Sequence, residues 1–354
     1  MHARSRADLD MTKARLLSLH RWIALALAPL ILVQIVTGTI LLLPEAFETR
    51  GWQHSTSANL ARAVEPSPSK LIDTALSKVS GGTFARLFFS GKDRAVHLVR
   101  IDSPGGPRFV AISPVSGGVV DRGSIWRFPY EAALELHYRL MSPVLGAAIV
   151  MVVAGGFLLL IVAGVATWWP GARNVARSIR VRRSLKGPAR LRAWHRSVGA
   201  AASVTALFSA STGFLLASTI FPWNASEPEV RSMRIDLSRV DTQFRIAAEL
   251  VPDGRARDLR LFPDGSIQVN FDAPRRNSRA VDTVVVPADP AQPADVLRAE
   301  DNDAPWVTVL PLHSGETFGP LGRVVLLAGC AALLFLIVSG PLAWWRRRRT
   351  RGSK

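Results

Sequence analysis

Four long apolar stretches constrain the fold of this 354-residue chain most strongly. They run from about residue 22 to 43, 144 to 168, 198 to 221 and 323 to 345, and no charged residue lies at the centre of any of them. A helix of about 20 apolar residues spans the hydrocarbon core of a bilayer, which is about 30 Å thick. The pattern therefore predicts a membrane protein with four transmembrane helices and not a single soluble core.

The basic residues are concentrated beside these stretches. Residues 1–21, 170–193 and 346–354 carry net charges of +3, +8 and +6, which together equal the +17 of the whole chain. Because short basic segments stay on the cytoplasmic side, we expect both termini and the middle loop to be cytoplasmic. Every basic cluster adjoins an apolar stretch, so the charge indicates orientation in a lipid bilayer and not nucleic-acid binding.

This topology divides the chain into seven segments. The first helix and its cytoplasmic N-terminus are residues 1–44, and the second helix is residues 137–169. The basic loop (170–193) leads to the third helix (194–222), and the fourth helix with its basic tail is residues 313–354. The two remaining segments, 45–136 and 223–312, are expected outside. In each, a helical pattern (69–80 and 241–250) precedes short alternating runs separated by turn residues. We therefore predict two small α+β outer domains on a four-helix bundle.

The chain contains the same two-helix unit twice. His20 and His195 are each followed eighteen residues later by the glycine of a Thr-Gly pair. His137 and His313 are each followed 27 residues later by a glycine and then by a Trp-Trp pair. Two parallel repeats have a pseudo-twofold axis along the membrane normal, which brings equivalent residues together. We expect His20 to pair with His195 near the cytoplasmic face and His137 with His313 near the outer face.

Paired histidines at both faces of a helical bundle favour haem binding. Two neutral imidazoles fill both axial positions of haem iron, which favours electron transfer, and bundle cores commonly hold such cofactors. Arg21, Arg139 and Arg196 adjoin the histidines and are candidates to pair with haem propionates. We interpret the Thr-Gly pairs as sites of close helix packing and the Trp-Trp pairs as an interfacial belt.

Several features narrow the chemistry further. The single cysteine, Cys330, excludes disulfides within the chain, and the lack of a Cys-x-x-Cys-His motif excludes covalent haem attachment. No GxGxxG follows a strand, so electrons must come from a separate donor. Pro143 and Pro320 are expected to kink or break the chain after the outer histidines. His2, His54 and His97 lie outside the repeated motifs, and we expect no cofactor role for them, with His97 at the surface of a strand.

Several short motifs resemble a known family. Residues 113–120 (SPVSGGVV) resemble the strand-turn signature of a PepSY domain, although residues 287–290 (PADP) replace that signature in the second outer segment. The histidine motifs resemble those of the PepSY-associated transmembrane family: Leu19-His20-Arg21-Trp22, Glu135-Leu136-His137-Tyr138-Arg139, Trp194-His195-Arg196-Ser197 and Pro311-Leu312-His313-Ser314-Gly315. The family includes bacterial inner-membrane ferric-siderophore reductases.

The resemblance implies an inner-membrane reductase with two bis-histidine haem b groups. It would take electrons from quinol or a cytosolic reductase and reduce a ferric chelate, such as a ferrisiderophore, in the periplasm. Two alternatives stay open. A non-enzymatic PepSY membrane regulator predicts no cofactor and tolerance of histidine replacement. A siderophore or iron permease predicts a polar central path, for which Gln34, Thr205, Ser209 and Ser211 are the candidates.

Overall fold

The computed structural model describes residues 2–47, 66–91, 95–220 and 236–352 of the chain. His54 and the side chain of His2, for which no role is expected, lie outside the described parts. The described chain forms two compact units, of which one contains the long apolar helices and the other contains residues 43–134 and 223–311.

Four long helices form the membrane unit: α1 (His2–Leu41), α5 (Leu145–Trp168), α7 (Gly187–Ile220) and α11 (Gly319–Gly352). Each contains a stretch long and apolar enough to cross a membrane, which confirms the four predicted spans to within a few residues at most ends. Helices α1 and α7 each pack against both α5 and α11. The helices that occupy equivalent positions in the two repeats therefore lie diagonally across a four-helix arrangement.

The outer histidines precede the spanning helices on short helices of their own. His137 lies in α4 (Pro129–Arg139) and His313 ends α10 (Leu310–His313). Between α4 and α5, Leu140 and Met141 adopt positive φ angles of 48° and 61°. The expected break after each outer histidine is therefore present. Because of it, each short helix does not continue directly into the spanning helix that follows.

Glycines make this break compact in both repeats. A Cβ on Gly146, in the first turn of α5, would lie 1.6 Å from the carbonyl oxygen of Arg139. In the second repeat a Cβ on Gly322 would lie 2.1 Å from the carbonyl oxygen of Gly315, whose φ is +76°. No side chain is compatible with such distances, so glycine is required where the chain folds back on itself.

The second unit contains one antiparallel sheet of eight strands in the order β4-β3-β2-β1-β5-β6-β7-β8. The strands are β1 (Thr83–Phe88), β2 (His97–Asp102), β3 (Arg108–Ile112), β4 (Val119–Ser124), β5 (Ala256–Leu261), β6 (Ile267–Asp272), β7 (Val281–Val286) and β8 (Asp295–Leu297). Helices α3 (Pro68–Leu76) and α8 (Leu237–Leu250) pack against it. Elsewhere in the described residues lie the short α-helices α2 (Pro44–Phe47), α6 (Val175–Ile179), α9 (Pro305–Thr308) and α10.

The two predicted outer domains are thus joined into one. The first strand of each half, β1 and β5, pair through Leu87 with Leu259 and Phe88 with Asp258. An isolated four-stranded half would expose the backbone groups of this strand as an open edge, and the pairing removes both edges. The guanidinium of Arg86 donates to the buried carboxylate of Asp258 at 2.9 Å, which adds a charged contact across the junction.

A second polar contact and a shared core hold the halves together. The Ser69 backbone N–H, at the start of α3, donates to the Asp241 carboxylate of α8 at 2.9 Å. Buried apolar residues of both halves, including Leu87, Val99 and Leu259, form one cluster between helices and sheet. The two segments therefore fold as one unit around one core, although residues 135–222 separate them in sequence.

Candidate site: two pairs of histidines in the helical bundle

The histidines predicted to pair near the outer face, here called the outer pair, are His137 and His313. Their ring centroids lie 6.1 Å apart with an angle of 47° between the ring planes. Two imidazoles on opposite sides of one metal ion, each with an N–metal bond of about 2.0 Å, would have centroids about 6.3 Å apart. The separation of the outer pair is compatible with His137 and His313 holding one metal ion between them.

Threonines of the neighbouring helices hold both rings of the outer pair. Thr37 Oγ1 lies 3.0 Å from Nδ1 of His137, and it also donates to the Val33 carbonyl at 2.7 Å. Thr212 Oγ1 lies 2.9 Å from Nδ1 of His313 and donates within α7 in the same way. A hydroxyl has one proton, so each threonine that donates to a carbonyl must accept from Nδ1–H.

This tautomer leaves the lone pair of each ring on Nε2. No hydrogen bond to Nε2 of His137 or His313 occurs among the described residues. Metal-binding histidines usually donate their other ring N–H to a fixed acceptor, which sets the tautomer and the ring orientation. The threonine contacts supply that function for the outer pair.

Burial keeps the outer pair neutral. Desolvation by burial and the neighbouring His313 lower the pKa of His137 to about 4. Desolvation by burial also lowers the pKa of His313. Neutral imidazole is the form that binds a metal ion, so both rings are in the ligating state at neutral pH.

The histidines predicted to pair near the cytoplasmic face, here called the inner pair, are His20 of α1 and His195 of α7. Their helices each pack against both α5 and α11. Nδ1 of His20 donates to the Leu160 carbonyl at 3.0 Å, and Nδ1 of His195 lies 2.8 Å from Ser339 Oγ. A carbonyl only accepts, so the lone pair of His20 is on Nε2, as in the outer pair.

Each histidine also lies against a glycine of the partner helix in its own repeat. A Cβ on Gly164 would lie 3.0 Å from Cε1 of His20, and a Cβ on Gly340 would lie 3.1 Å from Cε1 of His195. At the other end of the bundle, a Cβ on Gly38 would lie 3.2 Å from Cε1 of His137, and a Cβ on Gly213 would lie 3.1 Å from Cε1 of His313. A glycine that contacts a histidine in this way is called its glycine seat below.

These contacts explain the repeated spacings. In each repeat, each of the two histidines contacts a glycine on the helix that follows the other histidine. The glycine eighteen residues after the first histidine therefore contacts the second histidine. The sequence indicated close packing at the Thr-Gly pairs, but it did not show that the packing partner is an imidazole. The only available signal was the repetition of the spacing itself, and it does not specify which helices face each other.

The residues of both pairs are compatible with haem. Each pair supplies two imidazoles, and within the described residues no group of three or more His, Cys, Asp or Glu side chains could hold a metal ion. Haem needs only two protein ligands because the porphyrin supplies four nitrogens, whereas a protein-bound zinc ion needs three or four. The glycine seats and fixed Nδ1 atoms give the imidazoles the support that axial ligands require.

The three arginines predicted to bind propionates differ in their surroundings. Arg139 makes a bidentate ion pair with the buried Glu135 of α4 and lies over the Tyr138 ring, with 4.8 Å between its Cζ atom and the ring centroid. Its guanidinium is therefore largely occupied by protein. Arg21 and Arg196 directly follow the inner histidines and make no ion pair with the described residues, so the predicted role stays a prediction for them.

His97 differs from its predicted surface position. The imidazole is fully buried on β2, and its Nδ1 accepts from the Ser90 backbone N–H at 3.1 Å. Burial, together with the charge of Arg255, lowers its pKa to about 4. The prediction was wrong because β2 packs on both faces: His97, Leu98 and Val99 are all buried, so alternation does not mark an exposed side.

Spanning helices with paired histidines in the bundle define a multi-pass membrane protein. Residues 17–347 match the family of the PepSY-associated TM region, and the chain belongs to that family. A comparison with individually curated proteins gave no significant match.

Proposed function

We propose that this protein is a dihaem oxidoreductase of the bacterial inner membrane that reduces ferric chelates, such as ferrisiderophores, in the periplasm. In this proposal the inner pair and the outer pair each bind one haem b, with both termini cytoplasmic. The observation that carries the proposal is the outer pair: two neutral imidazoles 6.1 Å apart, with Nδ1 of each held and Nε2 available.

The spacing of the two pairs along the bundle supports transfer across a membrane. His20 and Gly38, which seats the outer His137, are eighteen residues apart on α1, or about 27 Å along the helix. This approaches the thickness of the hydrocarbon core. When bound, haem supplies one-electron transfer between ferric and ferrous iron. Quinol or a cytosolic reductase would supply the electrons at the inner pair.

Reduction would release the metal for a chemical reason. One electron converts the chelated Fe(III) to Fe(II), and hard oxygen ligands hold Fe(II) far less tightly because its charge is lower. Apolar side chains fill the centre of the bundle, among them Ile31, Ile35 and Val153. That packing supports electron transfer over the permease alternative, which needs a polar path.

A reduced-minus-oxidised visible spectrum of the purified protein tests the cofactor. We expect two haem b per chain, and one per chain after His137→Ala or His313→Ala. A colourless protein from haem-replete cells would refute the proposal and favour the non-enzymatic PepSY regulator.

Proteoliposomes test the direction and the substrate. With a quinol donor and a ferric chelate on opposite sides, wild-type protein should produce Fe(II) that a ferrous-specific dye traps. His137→Ala should abolish the signal, whereas Trp169→Phe, which changes an exposed side chain, should leave it intact. Equal rates in liposomes with and without protein would contradict the proposed reaction.

A further inference from the structure

The two Trp-Trp pairs are divided between the lipid-facing and the protein-facing surface of the bundle. Trp169 and Trp345 are 54% and 46% exposed, as an interfacial belt requires. Trp168 and Trp344, by contrast, are half-buried. The belt interpretation therefore accounts only for the second tryptophan of each pair.

Trp168 carries a donor without an acceptor. Its indole Nε1 is enclosed by protein and makes no hydrogen bond within the described residues. An enclosed N–H without a partner costs about 1–3 kcal/mol, and native proteins seldom retain one without a function. The indole N–H is a donor only, so the missing partner is an acceptor.

The position of Trp168 indicates where that acceptor lies. Trp168 follows Gly164, the seat of His20, by four residues, so both lie on one face of α5 about 6 Å apart along its axis. It lies beyond His20 in the direction of the basic loop. Arg21, next to His20, adds positive charge at this end of the bundle. An anionic acceptor beside the inner pair satisfies both groups.

We propose that Trp168 donates a hydrogen bond to a propionate carboxylate of the haem held by the inner pair. The inference rests on the proposed function. Ionised carboxylates are costly at membrane depth, so the propionate edge of an inner haem turns toward the nearer aqueous boundary, where Trp168 lies. The hydrogen bond stabilises the ionised propionate and screens its charge from the iron.

Loss of this bond has a defined electrochemical consequence. An unscreened carboxylate stabilises ferric over ferrous iron, so Trp168→Phe should lower the midpoint potential of the inner haem. The same loss disfavours the ionised propionate, so the pH dependence of that potential should move to higher pH. Trp169→Phe removes an exposed indole one residue away and should change neither property.

The test is spectroelectrochemical titration of the full chain in nanodiscs at several pH values. Trp168→Phe should retain two haems, with one midpoint potential lowered and the other unchanged. Two unchanged potentials in a haem-replete Trp168→Phe protein would overturn the inference and leave the proposed function standing. Wild-type protein without haem would overturn both.

A measurement on the wild type covers the case in which Trp168→Phe does not assemble. Ultraviolet resonance Raman spectroscopy reports the hydrogen bonding of indole N–H groups. Protein stripped of haem should show one indole with a weaker hydrogen bond than haem-loaded protein. Identical indole bands in the two forms would overturn the inference.

Discussion

The glycine seats give the sharpest test of how the bundle positions its histidines. In Gly164→Ala, the new Cβ would lie 3.0 Å from Cε1 and 3.1 Å from Nδ1 of His20. Carbon atoms in favourable contact are about 3.5–4.0 Å apart, so the imidazole must move by about 0.5 Å or more. The hydrogen bond from Nδ1 to the Leu160 carbonyl, now 3.0 Å, then approaches about 3.5 Å and is effectively lost.

Gly155→Ala is the matched control in the same helix. Its Cβ would lie 3.4 Å from Phe214 Cε2, an ordinary contact, and both substitutions raise helix propensity by about 1 kcal/mol. A difference between the two variants therefore reports the imidazole alone. We expect Gly164→Ala to lose the inner haem or to shift its potential, while Gly155→Ala retains two wild-type centres. Haem content per chain and redox titration are the assays.

The prediction has a clear refutation. If Gly164→Ala and Gly155→Ala are equally well folded by circular dichroism and retain the same two potentials, then the contact with Gly164 does not position His20. The argument from the spacing of histidines and glycines would then fail for the inner pair.

Three further substitutions test other parts of the structure. Thr37→Val removes the acceptor for Nδ1 of His137 and should weaken haem retention at the outer pair about 10–100-fold, as judged by haem loss to apomyoglobin, with Thr37→Ser restoring it. The buried His97 has a pKa of about 4, so the neutral form is favoured in the folded state and stability is lost as the pH falls from about 6.5 to about 4. The full effect is about 3 kcal/mol, and thermal unfolding against pH should show this slope in wild type but not in His97→Gln. Asp258→Asn leaves Arg86 without its buried carboxylate and should destabilise the sheet by about 2–3 kcal/mol in denaturant unfolding, more than a change at an exposed ion pair.

The spanning helices could be predicted because one local property decides them. An apolar run of about 20 residues is sufficient to define a span, and the basic flanks strengthen each assignment. The strands of the outer segments were also visible from alternation and turn residues. The C-terminal end of α3 differs from the prediction: the pattern indicated a helix over residues 69–80, but the helix ends at Leu76 and residues 77–81 form turns.

The joining of the outer segments could not be predicted in the same way. Pairing of β1 with β5 depends on two strands about 170 residues apart, and neither strand contains a signal for the other. Asp258 in β5 was a weak hint, because Arg257 and Arg260 of the same strand are also candidate partners for its carboxylate. Its partner across the junction, Arg86, becomes evident only once the strands are adjacent.

The histidines make two kinds of contact: contacts within one repeat orient each ring, and contacts between the repeats bring two rings together. Within one repeat, each histidine is seated and oriented by the neighbouring helix, as Thr37 and Gly38 do for His137. Between repeats, the rings of His137 and His313 lie 6.1 Å apart. Each repeat therefore orients its own histidines and supplies one imidazole to each proposed pair. Both repeats use the same glycine contacts, and the outer pair also has equivalent threonine contacts. The inner pair departs from this rule, because Nδ1 of His20 meets the Leu160 carbonyl whereas Nδ1 of His195 meets Ser339 Oγ. The shared contacts account for two similar pairs of histidines in one bundle.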